Sequence, residues 1–318
     1  MKEEKDKTFK AMKRFLLTKL FFIPCVITAI IGFSSCGNIA SEAKADYVKP
    51  SNHDSVDWIL TSINAKEKIK QLDALYQKKA KYGFNGCVLV AQCGQVLYKK
   101  AYGLSNFKTK DSLKLNSAFQ LASASKPFTA TGILILMERE KLSLSDKITK
   151  YIPDFPYPEI TIKMLLTHRS GLNDYVYFGY PYCDNDLCYK GSPYDNNAVL
   201  EIMNTYKPAT FCNPDKKFRY CNTNYVILAS IIEIVSGTSY ANFMRENIFA
   251  PLKMNNTWVR TANSAMHHKN VAMGHEMNRR VEKNTYADDV FGDKGIYSTV
   301  EDMFKWDEAS YTDKIVKQ

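Results

Sequence analysis

A chain of 318 residues that is 45% hydrophobic and 24% charged has ordinary globular composition, which excludes a disordered or collagen-like protein. Its length holds one large domain or two ordinary ones, with ample surface for a core. The formal charge is +10, but the first 36 residues carry seven basic and three acidic side chains, leaving +6 for the rest. That excess is spread without a long basic run, so no nucleic-acid partner is expected.

The chain opens on a basic stretch, "MKEEKDKTFKAMKRFLLTKL", and the following run from Leu20 to Ser35 is free of charge. A membrane-spanning helix needs about 20 apolar residues, so this run is short for a stable span and reads as a secretory signal. It ends in "FSSCGN", with small residues directly before Cys36, which looks like the lipobox of a bacterial lipoprotein. The expectation is a lipoprotein signal over residues 1–36, a tether over 37–56 and one domain over 57–318. Cys36 would then be the lipid anchor, holding the domain to a membrane of the bacterial cell envelope, facing the periplasm or exterior.

From Val56 to Lys81 the apolar residues Ile69, Leu72, Leu75 and Tyr76 recur at helical spacing, and Gly83 follows as a stop. "GCVLVAQCGQVLYKKAYG" predicts two strands around a turn near Gly94. Cys87 and Cys93 would lie about 20 Å apart along the strand run, too far to bridge each other. Cys183 and Cys188 could close a small loop; the pairing of these four with Cys212 and Cys221 stays open. The histidines His53, His168, His267, His268 and His275 form no metal-ligand spacing with a second group, so no metal is expected.

A helix opens at Ser123 and runs through "TATGILILMEREK". "ITIKMLLTHRSGL" predicts a short helix ended by Gly171, and residues 173–197 predict a loop. "NYVILASIIEIVSG" predicts a helix stopped at Gly237, and "SYANFMRENIFAPL" another before Pro251. Strands at the front with helices after them indicate an α+β fold rather than alternating βαβ units.

Chemistry concentrates in two stretches. In "LASASKPFTA", Ser123 and Lys126 stand at i and i+3, neighbours on one helix face. A serine hydroxyl is a poor nucleophile until a base takes its proton, and a desolvated lysine can serve as that base. Pro127 would sit in the first turn, where its missing N–H costs little. Alone, S-x-x-K is uninformative, since about two matches arise by chance in a chain of this composition. Ser105 and Lys108 supply another match, in a polar turn with no helix behind it.

The other stretch, "FRYCNTNYVIL", places Tyr220 and Asn222 just before a helix. A phenol can shuttle a proton and an amide can hold a substrate, although capping also explains an Asn there. Tyr194 and Asn196 repeat the spacing and read as a turn feeding a capped helix.

These residues carry a family resemblance. "FQLASASKPFTATGILILMEREKLSLSDKITKYIPDFP" resembles the nucleophile segment of the serine β-lactamase and penicillin-binding protein superfamily, in its class C-like branch. "ITIKMLLTHRSGLNDY", the Tyr-x-Asn block from Phe218, and "GDKGIYSTVEDMFKW" resemble later segments in the same order, over about residues 84 to 310. The resemblance implies an antiparallel sheet flanked by helices, with a mostly helical subdomain and the active site between them. It implies Ser123 as acylated nucleophile, Lys126 as proton acceptor, Tyr220 as general base or acid, and Asn222 as the group holding substrate and lysine. It also implies that the Ser123 N–H forms half of an oxyanion hole, that His168 is structural, and that no cofactor is needed.

A Lys-x-Gly or His-x-Gly strand of such relatives has no convincing copy here. The expectation is a chain lacking the C-terminal strands of the sheet and weakly active or inactive in this form. Substrates would be β-lactams, D-alanyl peptides of cell-wall type or small esters. A non-hydrolytic penicillin-binding or sensing module on the same scaffold is the alternative.

Overall fold

A computed structural model describes residues 64–182, 194–261, 270–282, 285 and 287–317. All of them belong to one unit, Lys49–Gln318. Cys36, the signal, the tether, residues 56–63 of the first expected helix, and Cys183 and Cys188 lie outside the described residues.

Helix α1, Ala65–Lys81, lies on a hairpin of β1, Gly86–Gln92, and β2, Gln95–Tyr102. Ile69, Leu72, Tyr76 and Ala80, spaced three and four apart, pack against Val88, Tyr98 and Tyr102 of the hairpin. Leu75, expected on that face, is exposed instead. Gln92 pairs with Gln95, so Cys93 and Gly94 form a two-residue loop. Their φ values of 51° and 72° have the sign that the favoured hairpin turn requires at both positions. Cys87 and Cys93 are both unbridged.

Two short strands follow, β3 at Leu104–Asn106 and β4 at Asp111–Ser112, and pair antiparallel. Strand β5, Phe119–Gln120, leads into a tight 3-10 turn, Ala122–Ser125, and then α2, Lys126–Glu138. Pro127 sits in the first turn of α2, as its missing donor allows. Strand β6, Trp258–Val259, and β7, Ile296–Ser298, complete an antiparallel three-stranded sheet in the order β5-β7-β6. Leu121 N–H donates to Ile296 O at 2.8 Å, which fastens the turn to the end of β7.

The helical part is built from α3, Ile162–Leu166, α4, Tyr175–Tyr182, α5, Asn196–Tyr206, α6, Thr223–Ser236, and α7, Tyr240–Met244. Helix α8, Val300–Ala309, follows β7 and stacks Trp306 on Phe128 of α2 at 4.1 Å between ring centroids. Residues 223–232 of α6 are buried all round, the property of a helix at the centre of a core. Gly132 permits the close approach of α2 to it: a Cβ there would fall 2.8 Å from Met244 Cε and 2.9 Å from Ile232 Cδ1. Among the described residues no single helix is long and apolar enough to cross a membrane.

The fold is therefore α+β, with small antiparallel sheets and helices. Two local expectations need correction. Helix α3 stops at Thr167, with His168 at φ 54°, three residues before Gly171. Gly171 has a different duty, because a Cβ there would lie 2.0 Å from Cys212 O, where the chain passes against it. The stretch expected as a loop over 173–197 contains α4, whose aromatic run "YVYFGYPY" lacks the helical periodicity that would have announced it.

Candidate active site

Three segments converge where the ends of α2 and α6 meet the loop before β7. The first is the turn that carries Ser123. Ala122, directly before it, has φ 47°, a left-handed conformation that costs a non-glycine residue roughly 1–2 kcal/mol. The turn is held there by β7, and it presents Ser123 to solvent while burying Lys126, the first residue of α2, to 5% exposure.

Lys126 Nζ reaches three oxygens: Ser123 Oγ at 3.1 Å, Asn222 Oδ1 at 2.8 Å and Asp293 O at 3.0 Å. The two carbonyl-type oxygens can only accept, so they take two N–H groups. The third position faces a hydroxyl, which can accept or donate. Ser125, the other serine of the turn, faces away and accepts from Ile296 N–H at 3.2 Å.

Tyr220 closes the arrangement from the second segment, with its O–H 2.8 Å from Ser123 Oγ and its ring centroid 4.9 Å from Lys126 Nζ. Asn222 stands at the N-cap of α6 but makes no side-chain cap hydrogen bond. Its amide spans Lys126 and Asp174 instead, so capping does not explain this residue. Asp174 is buried and accepts from Asn222 N–H at 2.8 Å and Asn222 Nδ2 at 2.9 Å. Burial raises its pKa, opposed by those hydrogen bonds and by the charge of Lys126.

The third segment is Gly292–Gly295. The Asp293 carboxylate accepts from Tyr175 O–H at 3.0 Å, and Lys294 Nζ donates to the same phenol oxygen at 2.8 Å. Burial pushes Asp293 up and Lys294 down, each restrained by the other's charge. The Gly292 carbonyl accepts from Thr129 Oγ1 at 2.7 Å, which ties the loop to α2.

His168 lies behind Tyr220, with ring centroids 4.6 Å apart. Its Nδ1 accepts from Cys221 N–H at 3.2 Å. Burial, reinforced by the Lys126 charge, lowers its pKa to about 4, so the ring is neutral and its accepting nitrogen is occupied. The Cys221 thiol is pushed up to about 12 by burial.

The duplicate motifs do not join this cluster. Ser105 Oγ donates to Asp111 O at 3.2 Å, and Lys108 is exposed. Asp195 caps α5 by accepting from Ala198 N–H at 3.0 Å, as a turn feeding a capped helix should. Asn196 braces the loop that carries Asp293, accepting from Phe291 N–H at 2.9 Å and donating to Phe291 O at 3.1 Å. The sequence reading missed Asp174, Tyr175, Asp293 and Lys294. The first two lie in "HRSGLNDY" and the last two in "GDKG", both segments of the resemblance, but neither shows a spacing that marks chemistry.

An α+β fold that brings a serine, a buried lysine, a tyrosine and an asparagine together in this way defines the serine β-lactamase and penicillin-binding protein class. The chain belongs to that family: the family model described as Beta-lactamase matches residues 67–317. It is similar to Penicillin-binding protein 4* of Bacillus subtilis (strain 168), 35% identical over 265 residues, which cover 79% of this chain and 58% of the relative. It is also similar to the Teichoic acid D-alanine hydrolase of Staphylococcus aureus, 32% identical over 60% of this chain and 46% of that protein. The solved structure of the octameric penicillin-binding protein homologue from Pyrococcus abyssi matches with a TM-score of 0.64 at 26% identity. That match covers 79% of this chain and 58% of the other. The chain thus spans about half the length of the curated relatives it matches.

Proposed function

We propose that this protein is a serine hydrolase acting through a covalent acyl-enzyme, on D-alanyl esters or amides of the bacterial cell envelope. One observation carries the reading: Ser123 Oγ lies 3.1 Å from Lys126 Nζ and 2.8 Å from Tyr220 Oη, a nucleophile with two proton-transfer partners. In the first step Ser123 gives its proton to the Lys126 amine while Oγ bonds to the substrate carbonyl carbon. The Ser123 N–H is assigned as one donor to the developing oxyanion. The Tyr220 O–H then protonates the leaving alcohol or amine as the old acyl bond breaks, and is reprotonated from Lys126. Water attacks the acyl-enzyme by the same proton path in reverse, releasing the acid and restoring Ser123.

Asn222 keeps one amide N–H beyond the one given to Asp174, enough to hold a substrate carbonyl. The Tyr-x-Asn pair supports the class C-like branch, and the D-alanine hydrolase among the relatives supports the choice of acyl group. The charge pattern of the first 36 residues supports attachment to the envelope through a lipid on Cys36.

A penicillin-binding module that acylates without turnover is the second reading, favoured by the 35% identical penicillin-binding relative. Incubation with a labelled penicillin and with a D-alanyl ester, followed by peptide mass mapping, separates the two. A transient adduct on Ser123 with product release supports the hydrolase, and a persistent adduct supports the binding module. No adduct with either probe, and no hydrolysis lost in Ser123→Ala, rejects both.

A further inference from the structure

An asparagine amide has two ends of nearly equal size and opposite chemistry, one accepting and one donating. Asn222 is held between two partners of opposite kind, and the lone pair of Lys126 is reserved for the Ser123 proton in the mechanism proposed above. Lys126 Nζ, 2.8 Å from Oδ1, offers N–H groups, while the Asp174 carboxylate, 2.9 Å from Nδ2, only accepts. Turning the amide over would set donor against donor at the lysine and acceptor against acceptor at the carboxylate. The same Asp174 oxygen also accepts the backbone N–H of Asn222 at 2.8 Å, so one carboxylate fixes both the residue and its side chain.

Asp174 is itself immobilised. It is 8% exposed, its other oxygen accepts from Val176 N–H at 3.2 Å, and it stands directly before α4. It touches neither Ser123 nor Lys126 by a hydrogen bond among the described residues. Its hydrogen-bonded route to the chemistry runs through Asn222.

We infer that Asp174 is a positioning residue: it fixes the Asn222 amide with Oδ1 toward Lys126, which leaves the third position of Nζ aimed at Ser123 Oγ. This role rests on Ser123 being the nucleophile proposed above. Without the carboxylate, the amide is free to rotate, Lys126 loses an obligatory acceptor, and the amine swings off the serine. A displacement of about 1 Å at such a site can lower a rate about 100-fold.

The test is a double-mutant cycle on the full chain, read as the rate of Ser123 acylation by a fluorescent penicillin. The rate at saturating probe is measured separately from the half-saturating concentration. Asp174→Ala is expected to lower the saturating rate about 10- to 100-fold and to move the half-saturating concentration by less than about twofold. In an Asn222→Ala background the same change should alter the rate far less than in the wild type, because the hydrogen-bonded route through the amide is gone and only the weaker through-space effect on Lys126 remains. Effects that multiply in the double variant would overturn the inference, since Asp174 would then act independently of Asn222. A purely structural role would lower the melting temperature and the rate alike in both backgrounds, which also overturns it. Should Asp174→Ala not fold, Asp174→Leu, which fills the same space and also lacks an acceptor, runs the same cycle under the same criterion. A wild-type chain not labelled at Ser123 rejects the hydrolase reading and this inference together, a result distinct from an additive cycle on a labelled serine.

Discussion

Ser123 and Ser125 sit two residues apart in one tight turn and face opposite sides of it. Ser123 Oγ meets Lys126 and Tyr220 at the surface, while Ser125 Oγ, fully buried, accepts the Ile296 N–H at 3.2 Å. The two serines therefore separate chemistry from stability. Ser123→Ala should abolish acylation and leave the denaturant midpoint nearly unchanged. Ser125→Ala leaves a buried N–H without its acceptor and should cost about 1–3 kcal/mol in urea unfolding. The reverse pattern, with the label surviving Ser123→Ala, would refute the assignment.

Tyr220→Phe removes one hydroxyl from a ring that is 46% exposed, so the fold loses little. The acyl transfer loses its proton donor to the leaving group, a role worth about 10²–10⁴ in rate. The loss should be larger for an amide than for an activated ester, whose leaving group departs without a proton. Equal losses on a D-alanyl anilide and a D-alanyl aryl ester would contradict the leaving-group role. Lys126→Met differs in kind, because it also strands Asn222 Oδ1 and the Asp293 carbonyl. It should lower both the acylation rate and the melting temperature.

What the sequence made legible follows from distance along the chain. The Ser123–Lys126 pair and the Cys93–Gly94 turn depend on neighbours within a few residues, so spacing alone exposes them. The carbonyl of Asp293 lies 167 residues from Lys126 and offers a backbone atom, to which residue type is almost irrelevant. Asp174 is 48 residues from Asn222 and sits in a segment whose helix has no periodic apolar face. Tyr194 and Asn196 show the converse: their spacing imitates the motif, yet Asn196 braces Phe291. Local pattern marked Ser123, Lys126, Tyr220 and Asn222, and only the fold shows that Asp174 and the Asp293 carbonyl stand against them.

Gly292 gives a backbone test of that aiming. It has φ 100°, and a Cβ there would lie 2.3 Å from Tyr225 O and 2.6 Å from Ala229 Cβ. Gly292→Ala must push the loop off α6, with a stability loss of about 1–3 kcal/mol or more from overpacking alone. The next carbonyl, that of Asp293, moves with it, so Ser123 labelling should slow as well. Gly237→Ala is the matched control: φ is 69° but nothing lies within 4 Å of its Cβ. It should cost about 1 kcal/mol of left-handed strain and leave the labelling rate alone. A Gly292→Ala chain that labels at the wild-type rate would show that the loop does not set the lysine.

The buried imidazole of His168 predicts how stability responds to acid. Burial and the charge of Lys126 hold its pKa at about 4 in the fold, against an ordinary value of 6.5. Between those values the unfolded chain binds a proton that the folded chain does not, so stability falls as pH drops from 6.5 towards 4 and this loss levels off below. The full swing is up to about 3 kcal/mol at about 1.4 kcal/mol per pKa unit. Asp174 and Asp293 act in the opposite sense: with pKa values raised by burial, they take up protons in the fold first and favour it on acidification. The histidine's share is therefore read as a difference. His168→Asn keeps an acceptor for the Cys221 N–H and tolerates φ 54°, and it does not titrate. Urea midpoints taken in steps from pH 7 to pH 4 should fall more steeply for the wild type than for His168→Asn. Parallel curves would mean that the fold does not depress the His168 pKa, so that the ring takes up its proton there as readily as in the unfolded chain.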